Sequence, residues 1–526
     1  MTDAPDLPDP ATPSDARRRD VLRTLLAGGL AAGGGLLAPH ATAKPAAPRH
    51  GGRITVATQS SSTADTLDPA KGALSTDYVR THLFYSCLTS LDAQLAPQPM
   101  LAEEYSTDDA TVWHIKLRKH VLFHDGKPLT AADVVYSLNR HNDPRTGSKA
   151  RALAEQFDTV RTTGPLALEI RLKGANADLP VLLATPQFAI IQDGAARFDT
   201  AVGTGPFRCQ EFKPGVRTVA VRNPGYWKHG LPYLDEVVIF GIPDEPARVN
   251  ALLSGDVDWI NDLNPRSTKR VRATSGFAVL EAETGLYTDL IVRQAVGAGR
   301  NPDFTLAMKY LIDREQIKRA VFRGYAVIGN DQPLAPSHRF FFAGLPQRPH
   351  DPERARFHLR KAGLLGATLP VVASAAAGGS VDMAMLIQQS AMQAGLNLAI
   401  KRVSADGYWS NHWMKSPIGF GNVNPRPSAD MLFTQFFKSD GPWNESGWQC
   451  PQFDQLLVQA RAETDVDRRR RMYADMQVLV HDKCGVAIPV FITNLEAAST
   501  RVRGIAPHPL GSFMGYAFGE HAWLAA

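Results

Sequence analysis

Histidine is the residue type in this chain that most invites a chemical role, because neutral imidazole is a common metal ligand. His82, His114, His120 and His124 lie in one stretch of the sequence. Their spacing does not fit a metal site, since the chain has neither His-Glu-x-x-His nor His-x-His. His114 falls on the polar face of a predicted strand, and His124 belongs to a turn. We therefore predict no metal bound through these residues.

The motifs of the common hydrolytic and phosphate-binding sites are missing from the sequence. The chain contains no Gly-x-Ser-x-Gly, which would place a serine nucleophile on a sharp turn. It contains no Gly-x-x-x-x-Gly-Lys-Ser/Thr loop either, which excludes ATP hydrolysis by that mechanism. Paired carboxylates leave no such motif in a sequence, so a secreted hydrolase stays as an alternative function. We predict that the chain is not an enzyme and has no catalytic residues and no cofactor.

Size and charge narrow the class of protein. At 526 residues the chain is longer than one ordinary domain. Its 57 Lys and Arg residues against 52 Asp and Glu residues give a net charge of only +5, and both signs are spread along the sequence. A nucleic-acid-binding protein concentrates basic residues on one face. We therefore expect several globular units and no nucleic-acid partner.

The first 43 residues have the pattern of an export signal. Arg17–Arg19 precede Thr24–Ala38, which consists of Ala, Gly, Leu and one Thr, and Ala41–Ala43 forms an Ala-x-Ala cleavage site. Paired arginines before a mildly apolar, glycine-rich core are typical of twin-arginine (Tat) signals. A membrane anchor is the alternative, but 15 residues with five glycines are short and weakly helical for a span. We predict a twin-arginine signal peptide at 1–43, exported by the Tat translocon, and no lipid anchor, because no cysteine directly follows the core.

A strand, a turn and a capped helix are predicted between 113 and 144. Apolar residues at 113, 115 and 117 alternate with polar ones, which is the period of a half-buried strand. Asp125 and Gly126 supply a tight turn. Thr130 then stands at a helix N-cap position with Asp133 three residues on.

The wording of this segment closely resembles a family signature. Leu117–Arg140, LRKHVLFHDGKPLTAADVVYSLNR, is similar to the signature of the family 5 extracellular solute-binding proteins, the dipeptide, oligopeptide and nickel receptors of bacterial ABC importers. Further phrases resemble the family in the family's own order: GTGPF at 203–207, NPGYW at 223–227, and LLSGDVD at 252–258. The resemblance covers about residues 50 to 510.

The resemblance implies an α/β fold of the periplasmic-binding-protein type. That is a two-lobed, type II, Venus-flytrap fold of the large cluster, with an extra subdomain in the first lobe. Lobe I would comprise 44–288, with an inserted subdomain at about 91–200. Lobe II would comprise 289–490, and 491–526 would return to lobe I.

The resemblance also implies a function. The protein would be a soluble monomer in the periplasm that captures a small peptide, or a peptide-like or anionic solute, in the cleft between its lobes. It would deliver that solute to an inner-membrane ABC permease and its ATPase subunits. A receptor that feeds a sensor rather than a transporter is a further alternative.

Two loops offer side chains for such a cleft. Ser61, Ser62 and Thr63 belong to a Ser/Thr-rich loop that closes on Leu-Asp-Pro-Ala, and the family lines its cleft with the corresponding loop. An ordinary solvated loop is the alternative. Tyr408 and Trp409 follow an Asp-Gly turn, and we expect one of them to face the cleft and stack on the ligand.

The cleft strand departs from the family pattern. In the family an Asp on this strand binds the amino terminus of a peptide, but here that Asp is missing, replaced near Val423 or Asn424, with Asn422 beside them. Arg426 stands where an acid is frequent, and Asp430 lies further along. A planar guanidinium suits a carboxylate or phosphate. We therefore predict ligand contacts from Asn422, Asn424, Arg426 and Asp430 and an anionic ligand group at Arg426, which could alternatively be a surface residue of a Pro-rich turn.

The four cysteines, Cys87, Cys209, Cys450 and Cys484, form no Cys-x-x-Cys pair. An oxidising compartment allows one or two disulfides in three connectivities, which the sequence does not rank. A bridge between Cys450 and Cys484, which bracket one stretch, is the one we favour.

Overall fold

The computed structural model describes residues 47–525, so the predicted signal peptide lies outside the described residues. Within that range the strands, in chain order, are β1 Arg53–Thr58, β2 Thr89–Leu91, β3 Pro97–Pro99, β4 Ala102–Ser106, β5 Val112–Leu117, β6 Phe157–Gly164, β7 Ala167–Leu172, β8 Phe207–Lys213, β9 Arg217–Arg222, β10 Glu236–Gly241, β11 Trp259–Ile260, β12 Phe277–Glu283, β13 Tyr287–Val292, β14 Ala326–Ile328, β15 Thr368–Ser374, β16 Asn397–Val403, β17 Ile418–Val423, β18 Val486–Ala487, β19 Val490–Ser499, β20 Val502–Arg503 and β21 Trp523–Leu524.

The helices of the same range are α1 Ser75–Phe84, α2 Ala131–Asn139, α3 Arg151–Ala154, α4 Leu179–Leu182, α5 Glu245–Ser254, α6 Thr268–Ala273, α7 Pro302–Tyr310, α8 Arg314–Ala320, α9 Pro352–Lys361, α10 Ser380–Ala394, α11 Tyr408–Asn411, α12 Ala429–Phe436, α13 Pro451–Ala462, α14 Val466–Lys483 and α15 Ser512–Gly515. Short 3-10 turns lie at Pro69–Lys71, Arg140–Asn142, Pro144–Thr146, Pro186–Phe188, Gly297–Arg300 and Phe518–Glu520. None of the helices between 47 and 525 has the length and apolar character needed to cross a membrane.

The largest sheet is built from both ends of the described chain. Its strand order is β12-β19-β11-β1-β10-β9-β8, with β14 pairing to β19 as well. β1 runs parallel to β10 and β11, whereas the other pairs on the path are antiparallel. Its core includes Ile54, Val56, Phe207 and Trp259. The C-terminal strand β19 therefore lies inside a sheet whose other path strands come from 53–283.

The range predicted as an inserted subdomain, about 91–200, contains a four-stranded antiparallel sheet, β4-β5-β7-β6. Trp113, Ile115 and Leu117 of β5 are buried against Val134 and Leu138 of α2. Thr130 precedes α2, and its backbone N–H donates to the Asp133 carboxylate at 2.8 Å. The predicted strand, turn and capped helix are confirmed.

The second half of the chain has its own sheets. β17-β13-β18 form one antiparallel sheet, and β15 and β16 form a parallel pair. Helices α7, α9 and α10 pack around them, with Met308, Leu359 and Ile387 in a shared core. We keep the names lobe I and lobe II for the residue ranges given above, whose boundaries stay a prediction.

Two connections run side by side between the two groups of sheets. The first joins β12 to β13 at 284–286, and the second joins β18 to β19 at 488–489. The backbone N–H of Ile492 donates to Leu286 O at 2.7 Å, and the Thr284 hydroxyl donates to Ile492 O at 2.9 Å. These hydrogen bonds hold the first connection against the start of β19.

The favoured disulfide is wrong. All four thiols are free, and the Cys484 Sγ atom lies 3.5 Å from the Ser446 hydroxyl instead. Cys450 and Cys484 are both buried in one apolar cluster with Phe433 and Tyr473. They act there as small apolar side chains.

Candidate functional site

A cavity of about 530 Å³ lies between lobe I and lobe II. This volume is in the range of small-molecule pockets. Lobe I contributes most of the wall, including Tyr78, His82 and Tyr516, and lobe II contributes Pro425, Pro427 and Met431. A solute held here would contact both lobes at once.

Helix α1 positions two of the lobe I side chains. Tyr78 and His82 are four residues apart on this helix, so they lie on one face. The Tyr78 hydroxyl accepts from Gln187 Nε2 at 3.1 Å, and its ring meets that of Tyr516 edge-on at 5.4 Å. Burial lowers the pKa of His82 to about 4, so the imidazole is neutral at pH 7.

An internally neutralised ion pair forms another part of the wall. The Lys228 ammonium donates to both oxygens of Glu520, at 2.9 and 2.7 Å. The Tyr226 hydroxyl donates to the same carboxylate, and the Tyr226 pKa is raised well above its usual range by burial and by that negative charge. Because the charges of Lys228 and Glu520 neutralise each other, this part of the wall is polar but has no net charge.

The lobe II wall is a proline-rich loop between β17 and α12. Ser428 caps α12, since its hydroxyl accepts from the backbone N–H of Met431 at 3.3 Å. Pro425 and Pro427 fix the backbone just before that cap and face the cavity. We call residues 424–428 the cleft loop.

Arg426 of the cleft loop lies at a smaller recess beside the main cavity. The recess is lined by Leu95 and Pro509 from lobe I and by Asn424 and Arg426 from lobe II. The guanidinium stacks 5.7 Å from the Phe436 ring centre, and its donors reach the Gln435 side chain and the Asn424 carbonyl. Burial lowers its pKa. Among the residues that the structure describes, no carboxylate pairs with Arg426.

The structure corrects two of the predicted ligand residues, Tyr408 and Asp430, because it places both in the protein interior. Tyr408 is 1% exposed and its hydroxyl donates to Phe420 O at 2.7 Å, so it packs lobe II instead of facing the cleft. Asp430 is buried in an ion pair with Arg461 Nε at 2.9 Å. Burial raises the pKa of Asp430, and its role is to tie α12 to α13.

The other predicted residues have local partners. Ser61 donates to Asp65 Oδ2, and the backbone N–H of Ser62 donates to Asp65 Oδ1, so the loop containing Thr63 is held by its own aspartate. Asn422 donates to Thr288 at 3.2 Å. Trp409 is 42% exposed and packs against Trp413 at 5.7 Å. None of Ser61, Ser62, Thr63, Trp409 and Asn422 lines the cavity described above, and ligand contacts by them stay a prediction.

Sequence reasoning missed the Lys228–Glu520 pair. The two residues are 292 positions apart, and only the return of the chain to lobe I brings them together. Tyr226 lies inside the NPGYW phrase, which was a signal, although the phrase alone does not reveal that the Tyr hydroxyl supports a carboxylate. Within residues 47–525, no group of three or more His, Cys, Asp or Glu side chains is arranged to hold a metal ion.

Comparison with known proteins identifies the family. The model of the bacterial extracellular solute-binding proteins, family 5, matches residues 96–445. The chain belongs to this family. The members are solute-binding proteins, and a solute-binding function is therefore confirmed at the level of the class.

Individual relatives are similar over most of their length. The glutathione-binding protein GsiB of Escherichia coli (strain K12) is 24% identical over 458 residues, which cover 83% of this chain and 88% of GsiB. GsiB of Pectobacterium atrosepticum is 24% identical over 477 residues, covering 86% and 92%.

Solved structures share the fold. HbpA2 from Haemophilus parasuis has a TM-score of 0.81 at 20% identity, covering 90% of this chain and 100% of that one. The periplasmic binding protein DppA from Helicobacter pylori, in complex with peptide STSA, has a TM-score of 0.72 at 19% identity, covering 91% and 99%. The predicted periplasmic-binding-protein fold is confirmed.

Proposed function

We propose that this protein is the substrate-binding component of an ABC importer and that it binds a small peptide or peptide-like solute with an anionic group. The observation that carries the proposal is the cavity between the lobes, whose walls come from both. The relatives named as glutathione-binding proteins, and the structural neighbour that holds a peptide, support the solute class. Twin-arginine export to the periplasm, a monomeric state, and delivery to a permease with ATPase subunits belong to the same proposal.

Closure of the lobes is the step by which such a receptor recognises its solute. A ligand that touches Tyr78 and Tyr516 in lobe I and Met431 in lobe II favours the shut state by its contacts with both sides. We expect the connections at 284–286 and 488–489 to allow rotation without separation of the lobes, since Thr284 and Leu286 of the first are hydrogen-bonded to Ile492, just after the second. The permease would then receive the shut, loaded form.

The charges around the cleft suggest how the solute is oriented. Lys228 and Glu520 already neutralise each other. Arg426 is the cleft-loop cation without a carboxylate partner in the described part of the chain, and its guanidinium is held in place by Phe436 and Gln435. The recess has a volume of only about 20 Å³, room for about one water molecule, so a ligand carboxylate would reach Arg426 only if the cleft loop moves to admit it. Such a carboxylate would restore the charge balance at Arg426, and the largely apolar main cavity would take the body of the solute.

The experiment begins with native mass spectrometry of the exported protein to find what it retains. Calorimetry with that solute, and with glutathione as a defined anionic peptide, then compares Arg426→Ala with the parent protein. We expect at least a tenfold weaker affinity, since a charge-assisted hydrogen bond contributes about 1.5–3 kcal/mol. Arg272→Ala is the matched control, because Arg272 also stacks on an aromatic ring, that of Tyr325, but pairs with Glu281 away from the cleft.

Two results would contradict the proposal. Unchanged affinity in Arg426→Ala would remove the anionic contact. Recovery of a turnover product in place of a retained solute would favour the secreted hydrolase.

A further inference from the structure

Asp178 is a lobe I carboxylate whose ionic partners all come from lobe II. It stands at the start of α4 in the inserted subdomain and is 1% exposed. Arg469 Nη1 donates to its Oδ1 at 2.7 Å, and Arg339 Nη2 reaches the same atom at 3.2 Å. The Ser428 hydroxyl donates to Oδ2. The neighbouring backbone N–H of Ala177 also crosses to lobe II, donating to Arg461 O at 2.8 Å.

The two guanidiniums are held in position from within lobe II. Both stack on the ring of Phe340, with Arg339 at 4.6 Å and Arg469 at 5.4 Å from its centre. Arg469 also donates to the Tyr473 hydroxyl at 3.1 Å and is almost fully buried. This preformed pair of cations needs an anion when water is excluded from it.

The Ser428 contact links the carboxylate to the candidate site. Ser428 ends the cleft loop and caps α12. Pro427, directly before it, lines the cavity, as does Val181, which lies in α4 on the Asp178 side. One carboxylate therefore contacts the cleft loop and the lobe II scaffold at the margin of the cavity.

We propose that Asp178 is a positioning residue for solute binding, a lock that holds the inserted subdomain on lobe II in the shut state and fixes the cleft loop. In the open state water solvates Asp178, Arg339 and Arg469 separately. In the shut state the three groups are desolvated together, and the carboxylate stabilises two guanidiniums that would otherwise repel each other. The role in solute affinity rests on the proposed function, whereas the lock is a property of the protein alone.

The test of the lock uses hydrogen exchange on the full protein without solute. The Ala177 amide is a direct reporter, because its acceptor is on the other lobe. In Asp178→Asn we expect at least tenfold faster exchange at Ala177, with unchanged exchange in the β5–β7 ladder of the same subdomain. Asp199→Asn is the control, since Asp199 is exposed and pairs with Arg197 of its own loop.

Two outcomes of this comparison overturn the lock. One is unchanged exchange at Ala177. The other is faster exchange in the β5–β7 ladder as well, which would mean that the substitution unfolds the subdomain. Arg339→Gln is the milder second variant, because Asp178 keeps Arg469, and it should accelerate Ala177 by a smaller factor in the same direction.

A binding arm separates the lock from the proposed function. With glutathione as the probe, Asp178→Asn should raise Kd at least tenfold and Asp199→Asn should not. Equal Kd values for Asp178→Asn and the parent protein would refute the positioning role even if Ala177 exchanged faster. Failure of the parent protein itself to bind glutathione would count against the proposed solute class, and the exchange comparison would still decide the lock.

Discussion

At the level of single residues, an unusual feature of lobe II is a pair of buried carboxyl groups, Asp289 and Glu445. Both are almost fully buried, and they approach each other at Gly421, where an added Cβ would lie 2.3 Å from Glu445 Oε1 and 2.6 Å from Asp289 Oδ1. Trp413 Nε1 donates to Glu445 at 2.6 Å. Burial raises the pKa of both groups, and for Glu445 the neighbouring charge raises it further.

This pair predicts a stability that falls as pH rises. Because the folded-state pKa values are raised, the folded protein binds more protons than the unfolded chain from about pH 4 up to the folded-state pKa of each group, which is about 6 for Asp289. Within that window the free energy of unfolding falls by roughly 1.4 kcal/mol per pH unit for each extra proton. Glu445→Gln keeps an acceptor for Trp413 and removes one charge. We expect it to be more stable than the parent at pH 8 and to flatten the dependence of unfolding free energy on pH between 5 and 8.

Urea titrations at several pH values measure this effect. Glu353→Gln, at an exposed ion pair with Arg356, is the control and should leave the pH dependence unchanged. The prediction is contradicted if the stability of the parent protein stays constant or rises from pH 5 to 8 and Glu445→Gln is no more stable than the parent. The two carboxyl groups would then not have raised pKa values in the folded protein.

Residue roles were predictable from sequence only where the role is local. Arg426 could be picked out because it stands in a recognisable loop. The structure places it at the recess beside the cavity, and its contact with a ligand stays a prediction. The Asp-Gly turn before Tyr408 is present, with Gly407 at φ +70°. The position of the Tyr408 side chain could not be predicted, because the packing of lobe II decides which side of the short helix α11 is buried. Asp178 gave no signal, since its partners at 339, 428 and 469 are remote in sequence.

At the level of elements, the two family-like segments 117–140 and 203–207 meet at the C-terminal end of α1, the helix that carries Tyr78 and His82. His124 Nε2 donates to Gly205 O at 3.1 Å, and His124 Nδ1 accepts from Gly203 N at 3.3 Å. Burial lowers the pKa of His124, which keeps the ring neutral for both bonds. The loop at 203–205 is thereby pressed against the last turn of α1, and a Cβ at Gly205 would lie 2.4 Å from the Phe84 carbonyl carbon.

Gly205→Ala should therefore destabilise the protein by about 1–3 kcal/mol, the usual cost of overpacking, and weaken solute binding by displacing α1. Chemical unfolding and calorimetry measure the two effects. Gly174→Ala is the control, because a Cβ there meets nothing within 4 Å and its φ is not positive. Equal unfolding midpoints for the two variants would contradict the close approach.

The elements that could be predicted well from the sequence are those specified by residues close together in the chain. β5, its turn and α2 follow from alternation, Asp-Gly and a capping box within some thirty residues. The two-residue strand β11 follows instead from distant partners, because it lies between β1 and β19.

At the level of the whole molecule, the largest sheet is not complete until the chain is almost fully synthesised. β19 lies between β12 and β11, and Glu520 completes the wall near Lys228. Such long-range pairing makes folding slow compared with local structure. It suits an export route that accepts a finished, folded protein.

We accordingly expect the double variant Arg18→Lys, Arg19→Lys to fold but to remain in the cytoplasm. Cell fractionation followed by limited proteolysis measures location and folding together. The double variant Arg49→Lys, Arg53→Lys is the matched control, because both residues lie beyond the predicted cleavage site. Undiminished periplasmic protein in the first variant would exclude the twin-arginine route.

The strand β19 also has a mechanical consequence. Residues 490–492 are paired with β14 and residues 493–499 with β12, so no residue along its length is without a partner strand. A strand held in this way cannot slide or lengthen without breaking its ladder of hydrogen bonds. Any movement between the two groups of sheets should therefore be taken up by the short connections before β13 and β19, and not by β19 itself.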